Sequence, residues 1–110
     1  MIFTKRDRDV IRLEFMDRFG SAASIHEGFW VRRWSTGPRK GEPKIPAAVQ
    51  SMIDRGFAVV ADESATLPRV RLTDAGLRAL VEMADDARAF QPPERYSGLL
   101  AEIAELRNRE

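Results

Sequence analysis

A chain of 110 residues with 44% hydrophobic content has the size of a single domain and enough apolar side chain for one modest core. With no cysteine it excludes a disulfide framework, a thiolate nucleophile and cysteine-type zinc sites, and cytoplasm is the expected compartment. The charged start MIFTKRDRD lacks the apolar run of a secretory signal, and no later run is long enough to cross a bilayer, so no membrane is expected. A net charge of +1 calls for no polyanion by itself, but the charges are segregated. Residues 29–45 hold Arg32, Arg33, Arg39, Lys40 and Lys44 against Glu42 alone, whereas residues 82–110 hold seven acids against four bases.

Thr4, with Asp7 at the third helical position, forms an acidic variant of the capping box. Val10, Ile11, Leu13, Phe15, Met16 and Phe19 supply an apolar face, which predicts a helix over residues 5–19 stopped by Gly20. The linker SAAS follows. In GFWVRRW the near alternation predicts a strand over residues 29–34, with Phe29, Val31 and Arg33 on one face and Trp30, Arg32 and Trp34 on the other. Large aromatics on short strands of small domains are mostly buried, so the two tryptophans are expected to cover one side of the core, the alternative being that they are available to stack with bases. STGPRKGEPK, with two glycines and two prolines, reads as a loop.

Ile45 and Pro46 open a short helix in which Val49, Met52 and Ile53 recur at helical spacing until Arg55 and Gly56 end it. With those three inward, Ala47, Ala48, Gln50, Ser51, Asp54 and Arg55 face out. FAVVADE and RVRLT around SATLP predict two strands, in which Arg69 and Arg71 alternate with inward Val70 and Leu72, and Asp62 and Glu63 lie near the tip. Pro68 suggests that the second strand is an edge. Thr73 caps a helix that carries Leu77, Leu80, Val81 and Ala84 inward and runs to about residue 90, where Pro92 and Pro93 stop it. In the last helix, residues 94–108, Tyr96, Leu99, Leu100, Ile103 and Leu106 recur at threes and fours.

The run AVQSMIDRGFAVVADESATLPRVRLTDAGLRAL resembles the second half of a bacterial winged-helix domain. The matching residues are Arg55, Gly56 and Phe57, then Leu72, Thr73, Asp74, Ala75, Gly76, Leu77 and Leu80. The likeness spans residues 45–80 as a motif and 5–90 as an architecture. It implies an α+β, mostly helical fold: a winged-helix-like domain over residues 1–90 with a small antiparallel sheet and wing, and a C-terminal helix over 91–110. The chain departs from the family where a second helix would stand, which is here the strand at 29–34 and the basic loop. Local chemistry agrees with the likeness: Thr73 offers its hydroxyl to a free amide of the first turn, Asp74 complements the positive helix end, and Gly76 removes a side chain where helix and hairpin meet.

The function expected from these features is non-enzymatic DNA binding, as in a transcriptional regulator, with double-stranded DNA as partner and no cofactor. Arg32, Arg33, Arg39, Lys40 and Lys44, with Arg69 and Arg71 on the wing, would neutralise phosphates. Gln50, Ser51 and Arg55 are the only outward helix residues suited to reading bases, and Asp54 opposes phosphate. That poor face favours an alternative, an interaction module that binds an acidic protein partner through residues 28–44. His26 is the only histidine, Glu82 and Asp86 stand one turn apart as a solvated face rather than a metal site, and no P-loop, nucleotide-binding glycine pattern or Ser-His-Asp order is present. The stripe Tyr96, Leu99, Leu100, Ile103 and Leu106 is expected to form a homodimer contact, the alternative being that it folds back on the domain.

Overall fold

The computed structural model describes residues 2–15, 25–61 and 68–109. Helix α1 (Lys5–Glu14) begins at the expected capping box: Thr4 Oγ1 accepts from the Asp7 amide at 3.2 Å, and Asp7 Oδ2 accepts from the Thr4 amide at 2.9 Å. Val10 and Ile11 face the core, but Leu13 is 55% exposed, so the inward stripe is narrower than the apolar pattern suggested. The expected continuation of this helix through Met16 and Phe19, the SAAS linker, and the acidic tip at Asp62 and Glu63 lie outside the described residues.

The segment at 29–34 is extended, as its alternation predicted, yet it serves two sheets. Strand β1 (Phe29–Trp30) and, after Val31, strand β2 (Arg32–Arg33) each find a different partner. β2 pairs antiparallel with β3 (Pro43–Lys44), so the far end of the predicted loop is a strand, and the Trp34 amide donates to the Glu42 carbonyl at 2.9 Å to extend this hairpin. α2 (Ala47–Asp54), β4 (Ala58–Ala61) and β5 (Arg69–Leu72) follow, and the larger sheet has the order β1-β5-β4, antiparallel throughout. β5 is therefore central and not the edge that Pro68 suggested. Pro68 stands just before the strand, where no ladder N–H is needed, and its carbonyl accepts from the Val31 amide at 2.8 Å.

α3 (Asp74–Ala84) is capped by Thr73, whose Oγ1 accepts from the Gly76 amide at 3.2 Å and donates to the Gly56 carbonyl at 2.6 Å. It ends well before the expected residue 90, and the turns that follow carry Ala89 and Phe90 into the core. A short 3-10 turn, Pro93–Tyr96, leads into α4 (Ser97–Arg109), which packs on α3. Tyr96, Leu99 and Ile103 are buried, and Leu100 and Leu106 pack against the same core. Of the stripe assigned above to a homodimer contact, three residues are thus buried within the single chain and two are half-buried. A helix in a domain this small places its apolar face where the core is already present.

The inner face of the larger sheet, with Phe29, Val70, Leu72 and Ala58, forms one core with Ile11, Phe15, Met52, Phe57, Leu80 and Met83. Phenylalanines supply its ring contacts, edge-to-face between Phe3 and Phe57 at 5.2 Å and between Phe15 and Phe29 at 5.6 Å. Contrary to expectation, neither tryptophan belongs to it: Trp30 is exposed and Trp34 half-buried. The class is α+β with a small antiparallel sheet. No helix among the described residues is long and apolar enough to cross a membrane.

Candidate nucleic-acid interface

Opposed residues of an antiparallel pair project to the same side, and neighbours along a strand project to opposite sides. Phe29 and Val70 are opposed and both buried, so the adjacent pair, Trp30 and Arg69, points away from the core. Arg71, two residues along β5, follows Arg69 outward, opposite an exposed Val59. Val31 is buried again, so Arg32 emerges on the side of Trp30, and the register of the second hairpin sets Lys44 opposite Arg32. One outer surface therefore carries Arg71, Arg69, Trp30, Arg32 and Lys44, continuing to Trp34. Glu42, opposite Trp34, is the only carboxylate that register places there among the described residues.

Gly28 makes this arrangement feasible. It has φ 81°, and a Cβ there would lie 2.1 Å from the Val70 carbonyl oxygen, so only glycine lets β1 close onto β5 at this point. Trp30 is 61% exposed, with the Arg69 guanidinium carbon 5.6 Å from its ring centre; Lys44 Nζ is 5.0 Å from that of Trp34. These are cation–π distances, and they hold cations beside aromatic surface in water. Arg33 belongs elsewhere: its Nη1 donates to the Gly41 carbonyl at 2.6 Å, bracing the hairpin turn. Arg39 and Lys40 are exposed in that turn.

The outward face of α2 is occupied by its own partners. Gln50 Nε2 donates to Asp54 Oδ1 at 2.9 Å, and Ser51 is half-buried beside Arg55. Arg55, expected to read bases, instead grips the buried Asp7 carboxylate with both terminal nitrogens, Nη1 at 2.9 Å from Oδ2 and Nη2 on Oδ1. Burial pushes the Asp7 carboxyl up, but hydrogen bonds from Arg55 and Thr4, with the Arg55 charge, outweigh it and hold the group below its ordinary range. The hydrogen bond to Asp7 raises Arg55 in turn. Arg55 is thereby a tie between α1 and α2, and a guanidinium held this way does not present its donor edge to a base. Val49 and Met52 join the core beneath the inner face of the sheet, so α2 and the basic surface lie on opposite sides. The residues named above for phosphate contact and those named for base reading are not brought together.

Elsewhere, Asp86 accepts from Arg8 Nη1 at 2.8 Å and from the Arg88 amide at 2.9 Å, and Glu82 is exposed. The hydrogen bond from Arg8 holds the Asp86 carboxyl below its ordinary range. Among the described residues no three acidic or histidine side chains form a cluster suited to a metal ion. The expected burial of Trp30 is overturned in favour of the alternative, an available indole, and the signal for it was in the sequence: Trp30 alternates with Phe29 and Val31 and shares its side with Arg32. No family model, curated protein or solved structure matches the chain.

Proposed function

We propose that the chain is a non-enzymatic, winged-helix-like domain that binds DNA, as a regulator does, through the basic outer face of its sheet. The observation that carries this reading is the convergence of Arg32, Lys44, Arg69 and Arg71, from three strands, on one surface where register places Glu42 as the single carboxylate among the described residues. Guanidinium and ammonium groups so placed neutralise phosphates and release counterions, a sequence-independent source of affinity. Support for the winged-helix likeness comes from the β4–β5 hairpin directly after α2 and from the Thr73 cap and Gly76 contact at the start of α3. With the outward face of α2 engaged internally, the contribution of Gln50 and Ser51 to base reading is small.

Anisotropy titrations with mixed-sequence duplex DNA across a salt series test the reading. The expected result is binding at low salt with a slope of log K against log salt of about −3 to −4, as for roughly four neutralised phosphates. Absence of binding to duplex and single-stranded DNA alike, even at the lowest salt, would sink it. The engaged α2 face also favours a second reading, an acidic protein partner on the same surface. Polyglutamate displacing duplex DNA at equal charge concentration is the outcome that reading requires.

A further inference from the structure

The phosphate contacts leave Trp30 unexplained. Phe3, Phe15, Phe29, Phe57, Phe90 and Tyr96 are all buried, whereas the larger indole of Trp30 stands 61% exposed in the middle of the cationic surface. Aromatic side chains contribute most to a small core when buried, and the contact with Arg69 covers only part of this indole, leaving most of it in water. Its place is fixed: β1 pairs with the central strand, Gly28 brings the two together, and Arg69 lies across from it at 5.6 Å.

We propose that Trp30 is a stacking platform for an unpaired base, so that the preferred ligand of this surface is single-stranded DNA. The inference rests on the DNA-binding reading above and specifies which form of DNA the surface takes. In a duplex the bases are stacked on one another and their faces are inaccessible; only an unpaired base can lie on an indole. Arg32 and Lys44 to one side of Trp30 and Arg71 beyond Arg69 are placed to hold the backbone on either side of a base seated there. A cationic strand surface with an exposed aromatic is the combination that binds single strands without regard to sequence, because every base has a π face. The element that would enter a major groove, α2, lies on the other side of the sheet, and Arg55 at its end is held by Asp7.

Trp30 is one of two tryptophans, so a Trp34→Phe protein reports on it alone. That protein is titrated with a short oligothymidylate, with an abasic strand of the same length, with oligouridylate, and with a mixed-sequence duplex, at one low salt concentration. Oligothymidylate should quench the Trp30 emission and the abasic strand should not. Trp30→Ala should weaken oligothymidylate binding roughly 5- to 100-fold, the range for loss of one stacked base, while abasic-strand and duplex affinities stay within about twofold. Trp30→Phe, which keeps a ring, should fall between the two proteins. Because the side chain is exposed the variants should retain the unaltered circular dichroism spectrum. Equal oligothymidylate binding by Trp30→Ala, with duplex binding intact, overturns the stacking role alone. Tighter binding of oligouridylate than of oligothymidylate overturns the assignment to DNA. Absence of binding to all four probes overturns the DNA-binding reading itself.

Discussion

Asp7 closes the capping box of α1 and accepts both terminal nitrogens of Arg55. The first role is legible in the sequence because Thr4 and Asp7 are three residues apart; the second is not, since Arg55 arrives from 48 residues away. The ion pair has a calculable consequence for stability. Arg55→Met would leave a buried carboxylate without its cation, at a cost of about 2–4 kcal/mol, less than for a fully buried pair because the Arg55 side chain is 35% exposed. In the unaltered protein the folded-state pKa of Asp7 is depressed below its ordinary 3.8. Its contribution is therefore fully present above that value and is lost as pH falls through the depressed one. In Arg55→Met the depression is lessened, because burial still raises the carboxyl and only the hydrogen bonds from Thr4 oppose it, so less of the stability is lost as pH falls. Urea unfolding at pH 7 and near pH 4 should show a stability gap that narrows at the lower pH; a gap that stays constant would mean that Asp7 is not the charge Arg55 compensates.

Among the elements, those whose determinants are local match the sequence best. Thr73 begins α3, Gly56 ends the turn after α2, and Val70 and Leu72 face inward as their alternation required. Where a residue's role depends on a distant strand, the sequence was ambiguous. Pro68 suggested an edge because nothing nearby revealed that β1 would pair on the free side of β5, and the apolar stripe of α4 was compatible with either a second copy or its own core. The basic surface was legible as a list of cations but not as a surface, since it is assembled by the registers of three strand pairs. Two glycines separate packing from helix propensity. A Cβ on Gly76 would lie 2.1 Å from the Phe57 carbonyl oxygen, whereas one on Gly98 in α4 meets nothing within 4 Å. Gly76→Ala should destabilise by about 1–3 kcal/mol despite alanine's better propensity, and Gly98→Ala should be neutral or stabilise by up to about 1 kcal/mol. Thermal melts of the two proteins check this; a Gly76→Ala variant as stable as the unaltered chain would show that α3 and the Phe57 turn are not held in contact.

At the scale of the whole molecule the chain divides its work between the two sides of a strand layer, formed by the three-stranded sheet and the β2–β3 hairpin. The inner side is apolar and carries the helices; the outer side presents Trp30 among cations. This places the proposed DNA-binding surface away from α2, where the likeness to winged-helix domains alone would have put the base-reading residues. The most direct measurement compares two double variants of the full chain against the same duplex at low salt: Arg32→Ala with Arg71→Ala on the outer face, and Gln50→Ala with Ser51→Ala on α2. Both exposed arginines can be removed without disturbing the core. Loss of two phosphate contacts should weaken binding roughly tenfold or more and make the salt slope shallower by about 2, while the α2 variant should bind within about twofold of the unaltered protein. Binding that survives loss of Arg32 and Arg71 but falls when Gln50 and Ser51 are removed would contradict the account.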